Sequence, residues 1–459
     1  MQLSKYSKEF KSNLQLAIPV ILGMLGHTLV GIVDNVMVGH IGATELAAAS
    51  LANSFVFIAM SLGIGFSTAI TPLIAEADAE KNLEKERTIF HHGLKLCALL
   101  GVFLFTLIYF SNPLLDSMGQ PKAVVALAKP FLNVLAFSLI PLILFQGYKQ
   151  FADGKQQTKI GMWANLYTNV VHILLNIVLI YGWWIFPKMG MLGAAYGTVI
   201  SRFFMLGFIH FSLKNKSRFA VYFHHFSFSN FNKKIVNRIV NLGLPSGFQM
   251  FFEVALFTGA VWLCGRINTE SQAANQIALS IATFTFMFVS GLGVAGMVRV
   301  GNLKGQRDFV GLQVAARSLF LLAIIVQTIF ALLFVVFHNY LPDLFVNFNE
   351  ISVTANVSEV VSIASNLILI AAVFQLSDGL QVVVLGALRG LQDVKIPMYI
   401  TFTAYWLVGF PISIYLGLFT HLKAVGVWIG LLAGLTFAAL FLYIRFSYLS
   451  KKLIENNII

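Results

Sequence analysis

Charge is scarce in this chain. Asp, Glu, Lys and Arg make up 11% of its 459 residues, where about 25% is usual for a soluble protein. Hydrophobic residues make up 58%, and the mean hydropathy is +0.81. The deficit excludes a soluble globular domain. The apolar runs reach ~20 residues, the length a helix needs to cross hydrocarbon. The short alternating strands of a membrane barrel are missing. Cysteine is nearly absent: Cys97 and Cys264 fall in different halves at apolar depth, which reads as packing rather than a disulfide or metal pair. There is no phosphate-binding Gly-Lys-Ser loop, no HExxH and no paired acidic motif for a diphosphate. The G-x-G at 63–65 and 291–293 lies in apolar helices and reads as packing. An enzyme is therefore not expected, nor any cofactor. Without a nucleotide domain, uphill work must draw on an ion gradient. One charge crossing 100 mV supplies ~2.3 kcal/mol, enough for a tenfold or larger gradient of a monovalent substrate. The polar N-terminus has no small-residue cleavage site, so no cleaved signal peptide is expected.

Twelve apolar spans are present, near 14–38, 46–74, 91–111, 129–150, 160–182, 191–213, 239–264, 274–300, 312–337, 360–388, 396–418 and 424–448. With the N-terminus inside, nearly all Lys and Arg sort to inner loops and inner span ends, Arg202 among them. Only Lys122, Lys129, Lys188, Arg266 and Lys423 fall outside. This asymmetry predicts that both termini are cytoplasmic. It also explains the net charge of +12 and pI near 9.6 by topology, without nucleic acid.

The halves repeat. A constant offset of 226 pairs Pro19 with Pro245, Gly39 with Gly265, Ala48 with Ala274 and Ala52 with Ala278. FADGKQQTKIGM (151–162) matches ALRGLQDVKIPM (387–398), and GAAYG (193–197) matches GVWIG (426–430). The expected organisation is a six-helix lobe (1–213), a basic linker (214–238) and a second six-helix lobe (239–459). An even number of spans per repeat relates the lobes by a pseudo-two-fold axis along the membrane normal. That plan suits alternating access.

Asp34, Glu253 and Asp378 are the carboxylates well inside spans. Each costs ~3 kcal/mol on insertion scales and is a functional candidate. The plain alternative is that each is hydrogen-bonded and structural. His27 lies two turns before Asp34, and Gly23, Gly26 and Gly31 allow close helix approach. Gln249 and Phe257 flank Glu253 by one turn, and Pro245 is expected to break that span near its inner end. Ser377, Phe374 and Gln381 surround Asp378. Gln276 and Ser280 are expected to line the same cavity, while His172 and Asn176 share a face with Asn165 and Asn169. His172 suits a helix–helix hydrogen bond as well as an ion or proton ligand. Such carboxylates can carry a proton, hold a dehydrated monovalent cation, or attract an organic cation.

IPVILGMLGHTLVGIVDNVMVGHIG, FFEVALF with NQIAL, GMLGAAYGT and FQLSDGLQVVVLGALRGLQDVKIP together resemble the multidrug and toxic compound extrusion family, in its NorM-like bacterial branch, over almost the whole chain. The resemblance implies two six-helix bundles in a bacterial inner membrane, acting as a monomer. It implies export of cationic, often aromatic compounds in exchange for Na+ or H+. By position, Asp34, Glu253 and Asp378 take the coupling role, with Glu253 and Asp378 holding Na+ where Na+ is the ion. Gln276 matches a cavity glutamine. Two positions depart from the pattern: Phe374 stands where a tyrosine is common, and His172 where an asparagine is common. The first weakens Na+ coupling and the second favours protons. A lipid-linked precursor flippase is the rival within transport; a membrane-embedded enzyme or passive channel is the rival outside it.

Overall fold

A computed structural model describes residues 2–117, 121–183, 186–223, 232–345 and 357–458. Among these, all regular structure is helical. Twelve helices are long and apolar enough to span a membrane: α1 (Tyr6–Gly39), α2 (Thr44–Ala79), α3 (Leu83–Ser117), α4 (Lys122–Gly154), α5 (Thr158–Tyr181), α6 (Met191–Lys214), α7 (Lys233–Ile267), α8 (Thr269–Gly305), α9 (Phe309–Phe337), α10 (Val357–Gly390), α11 (Lys395–Leu418) and α12 (Lys423–Asn456). Each expected span has its helix. Most helices run several residues past the apolar stretch, because polar end residues still complete helical turns in water or among headgroups.

Proline positions the breaks. A proline clashes with the carbonyl four residues before it and donates no hydrogen bond. Regular helix stops at Ser67 in α2, at Tyr109 in α3 and at Phe137 in α4, four or five residues ahead of Pro72, Pro113 and Pro141. In α11 the response differs. Residues Thr403–Gly409 form a π-helical stretch in which the Phe410 N–H bonds to the Tyr405 carbonyl, just before Pro411. The expected break at Pro245 does not occur: helix Lys233–Ile267 runs through it, as long helices do when their neighbours satisfy the freed backbone groups.

The tight turns repeat along the chain. Lys81 and Arg307 both adopt left-handed φ, 56° and 58°. Each is followed by an N-cap, Asn82 bonding Lys85 N–H at 2.9 Å and Asp308 bonding Gly311 N–H at 2.8 Å. Gln156 and Gln392 form a second such pair. A left-handed conformation disfavoured for a side-chain-bearing residue, recurring at the offsets of the sequence repeat, is what a duplicated backbone leaves.

The contacts gather into two compact units, Leu22–Gly247 (the first unit) and Met1–Ile21 with Phe248–Ile459 (the second). The expected lobes divide at the linker, whereas these units divide within α1 and α7. Glycine crossings account for the difference. A Cβ on Gly65 would meet Ser246 O at 2.7 Å, and one on Gly291 would meet Ala17 O at 3.0 Å. The leading parts of α7 and α1 are held by α2 and α8 respectively. Residues 224–231 of the expected linker lie outside the described residues.

Within the second unit, α8 and α10 meet backbone to backbone. A Cβ on Gly386 would lie 2.1 Å from Gly293 O, the close approach that small residues allow between membrane helices. Trp428, Tyr405 and Phe446 fill its core, and Phe90, Phe145 and Phe151 fill that of the first. Cys97 and Cys264 are both free and buried.

The first unit also holds a buried ionic cluster at one end. Lys155 Nζ donates to Glu86 Oε2 at 2.8 Å and to Asp78 Oδ1. Tyr222, in the short helical segment after α6, donates its hydroxyl to the same Glu86 oxygen, and its carbonyl accepts from His91 Nε2 at 2.6 Å. Burial lowers the Lys155 ammonium, but its bonds to Asp78, Glu86 and Tyr222 outweigh that and leave it raised. Burial first, then the bond to Glu86, pushes the Tyr222 phenol up to about 12.

Candidate functional site

Each unit holds an acidic centre at span depth. In the first, glycines bring α1 onto α5. A Cβ on Gly23 would meet Asn165 Nδ2 at 3.1 Å, and one on Gly26 would meet Asn169 Nδ2 at 2.8 Å; Gly31 faces open space. Asp34, two turns past Gly26, then reaches the α5 polar face. His172 Nε2 lies 2.8 Å from Asp34 Oδ1 and 2.9 Å from Oδ2, and Asn176 Nδ2 donates to Oδ1 at 2.7 Å. Both carboxylate oxygens are thus satisfied.

The other face of His172 meets Ser201 on α6, with Nδ1 2.9 Å from Oγ. Ser201 Oγ also lies 2.9 Å from the Thr198 carbonyl. With its hydrogen on that carbonyl, the hydroxyl accepts from Nδ1–H, and the ring carries both protons. Turned round, it donates to Nδ1 and the ring is neutral. Rotation of one hydroxyl can therefore accompany protonation of His172.

Arg202 was expected near an inner span end. It sits instead in the middle of α6, donating to Ser138 Oγ at 2.5 Å within electrostatic reach of Asp34. Ser138 is at the α4 break that Pro141 causes, so a proline kink supplies the oxygen that holds a guanidinium at membrane depth.

The second unit's centre lies among α7, α10 and α11. Gln249 Oε1 accepts from Arg389 Nη2 at 2.9 Å, and Glu253, one turn on, lies within electrostatic reach of Arg389 and Asp378. Asp378 is 4% exposed. Its Oδ1 is buried without a hydrogen-bond partner, and the Tyr405 hydroxyl lies against the Gln381 amide. Ser377 turns away to Thr436, at 2.9 Å.

Phe374 is buried between Phe257, with ring centroids 6.1 Å apart, and Trp428, at 5.4 Å; it packs the core one turn before Asp378. Trp428 in turn donates to Asn275 Oδ1 at 2.9 Å. Gln276 is exposed, its carbonyl accepting from Ser280 Oγ at 2.8 Å. Among the described residues, no hydrogen bond or ion pair joins Gln276 or Ser280 to Glu253 or Asp378. Sequence reasoning missed Tyr405, Ser201, Ser138 and the depth of Arg202. Pro411 was the available signal for Tyr405. For Arg202 it was a lone arginine near the centre of an apolar run.

A family model described as MatE matches residues 19–178 and 245–415. A probable multidrug resistance protein NorM of Rhizobium meliloti (strain 1021) is 32% identical over 453 residues, covering 98% of this chain and 95% of that protein. A multidrug resistance protein MdtK of Yersinia pseudotuberculosis (serotype O:1b, strain IP 31758) is 31% identical, covering 98% of each. Among solved structures, the eukaryotic MATE transporter AtDTX14 aligns at TM-score 0.85 with 20% identity, over 98% of this chain and 99% of that one. A MOP superfamily transporter from Pyrococcus furiosus aligns at 0.87 with 20% identity over 96% of each chain; that protein is described as having a binding pocket of reverse polarity, suggesting a different function.

Proposed function

Because the chain belongs to the MatE family, we propose that it is a multidrug efflux antiporter of the bacterial inner membrane, exporting cationic and aromatic compounds in exchange for H+ or Na+ by alternating access. Its homologues named NorM and MdtK support the efflux reading. The observation that carries the coupling is Asp378, nearly fully buried with an oxygen that no protein donor satisfies. A carboxylate kept that way at membrane depth is retained for what it binds. Asp34 supports a proton, since its partner His172 can accept one at Nδ1 while the Ser201 hydroxyl turns to the Thr198 carbonyl. The lysine and arginine distribution supports cytoplasmic termini, and we expect a monomer.

A flippase for an anionic lipid-linked substrate is the second reading. Arg202 and Arg389 favour it, as both lie within spans. Each arginine has a carboxylate at hand, Asp34 and Glu253 respectively. Counting Asp378, the second unit's centre holds two carboxylates and one guanidinium, and its excess of negative charge supports a cationic cargo.

The test is ethidium movement in proteoliposomes under an imposed Na+ or pH gradient. Wild type is expected to move dye only with a gradient, and Asp378→Asn to abolish that movement. Equal behaviour of wild type and variant removes Asp378 from the mechanism, and no movement of any cationic dye overturns the efflux reading in favour of the flippase.

A further inference from the structure

Resting on the efflux reading, we propose that Arg202 is a specificity-determining residue of the first unit's centre: its guanidinium takes a carboxylate carried by the cargo, so this centre recognises zwitterionic compounds rather than purely cationic ones. Arg202 lies in the middle of α6 and is half-buried. An arginine that deep in a span is costly and is kept for what it pairs with. Among the described residues its hydrogen-bond partner is a neutral hydroxyl, Ser138 Oγ, at 2.5 Å from Nη1. Asp34 is within electrostatic reach, but it spends both oxygens on His172 and Asn176. Its ion-pair contact among the described residues is with His172. The guanidinium therefore has a counter-charge nearby and no carboxylate in contact.

The helices fix how that group is presented. Ser138 Oγ donates its own hydrogen to the Leu135 carbonyl, so toward Arg202 it can only accept. That pins Nη1 and leaves the edge formed by Nε and Nη2. Neither of those nitrogens is sealed in protein without a partner. Such an edge offers two parallel N–H groups, the spacing that a carboxylate accepts in bidentate fashion.

The surroundings are open and balanced in charge. A Cβ on Gly31 would meet nothing within 4 Å. His27, one turn before Gly31, is exposed and within electrostatic reach of Arg202, His172 and Asp34. The Asp34 side chain is 31% exposed. With both histidines neutral, one carboxylate and one guanidinium leave the centre with no net charge. A cargo bearing one charge of each sign matches that pair, its carboxylate on the Arg202 edge and its cationic end drawn by the field of Asp34 without displacing the bonds Asp34 already makes. A doubly charged phosphate has no such match. The second unit's centre, with its excess of negative charge, suits cations alone.

Two dyes of one scaffold test this: rhodamine 110, a zwitterion with a free carboxylate, and rhodamine 123, its cationic methyl ester. Fluorescence anisotropy measures the binding of each to the purified protein in detergent. Wild type is expected to bind both saturably. Arg202→Gln should raise the ratio of the rhodamine 110 Kd to the rhodamine 123 Kd at least tenfold, about what one charged hydrogen bond is worth. Arg202→Lys, which keeps the charge but loses the fork, should give an intermediate ratio. Ser138→Ala leaves the guanidinium in place but unheld, and should also raise the ratio. A merely structural arginine would weaken both dyes equally. Equal losses, an unchanged ratio in Arg202→Gln and Ser138→Ala, or wild type that does not bind rhodamine 110 each overturn the proposal. Ethidium export in proteoliposomes separates the two readings. Gradient-driven export without rhodamine 110 binding overturns the carboxylate site alone. Arg202-dependent rhodamine 110 binding without export of any dye overturns the efflux reading alone.

Discussion

Replacing Lys155 by Met should destabilise the first unit by about 3–5 kcal/mol, the cost of leaving a buried carboxylate without its partner. Lys155 and Glu86 have side chains only 5% and 4% exposed. At their 2.8 Å separation, the attraction is about 6 kcal/mol for an effective dielectric of 20. Desolvation of both ions offsets most of that while the pair is intact. Once the ammonium is gone, the offset has nothing to balance it. Glu86 retains the Tyr222 hydroxyl, which holds its cost toward the lower end of the range, and Asp78 is partly exposed, so the lost contact to Asp78 adds the smaller share. Methionine preserves most of the lysine stem, so packing loss contributes little. For a unit of this size the melting temperature should fall by roughly 10 °C, read by intrinsic tryptophan fluorescence in detergent. Adding Glu86→Gln and Asp78→Asn to Lys155→Met should restore at least half the loss, because no buried charge is then unpaired. A single variant melting within about 2 °C of wild type would refute the reasoning, since a shift that small corresponds to under about 1 kcal/mol.

Three further outcomes follow from the same contacts. Gly386→Ala should cost about 3 kcal/mol, because its Cβ would meet the Gly293 carbonyl at 2.1 Å and backbone must move; Gly207→Ala, with nothing within 4 Å, should gain about 0.5–1 kcal/mol, and parallel melts compare them. Alkaline stability should fall between about pH 10 and 12. Lys155 and Tyr222 both hold their protons more tightly when folded, so their contribution is complete below the unfolded values near 10 and is lost as pH passes the folded ones; Tyr222→Phe should make the decline shallower in a pH-dependent melt. His172→Gln keeps a polar side chain but cannot become cationic, and should reduce pH-gradient-driven ethidium export at least tenfold; full export in the variant removes the histidine from coupling.

The twelve helices were legible because each is a long apolar run, and the membrane tolerates little else. The acidic residues were legible for the complementary reason, that a carboxylate in such a run is conspicuous. What they bond to was harder to read. His172 and Asp34 are far apart in sequence, and only the glycine contacts of α1 show which face of α5 they meet. Arg202 reads as an inner span-end residue when the lysines and arginines are sorted by side. The structure instead gives it Ser138, a hydroxyl placed by a kink in another helix. Tyr405 eluded a helical-face argument for a physical reason: a π-helical stretch breaks the 3.6-residue periodicity by which faces are read. Pro245, conversely, reads as a break, yet helix Lys233–Ile267 runs through it.

The two centres treat their carboxylates in opposite ways, and this bears on which ion each can answer. Asp34 has donors on both oxygens, two of the contacts coming from one imidazole. Any cation arriving there must displace hydrogen bonds to a charged group, each worth about 1.5–3 kcal/mol. A proton need displace none of them: it can enter at His172 Nδ1 as the Ser201 hydroxyl turns toward Thr198, leaving the Nε2 contacts to Asp34 in place. Asp378 is the reverse case. Its Oδ1 has no donor to lose. A metal cation or a proton arriving at that oxygen would displace no hydrogen bond to it. The two acids thus differ in what an arriving ion must displace: protein hydrogen bonds at Asp34, none at Asp378 Oδ1.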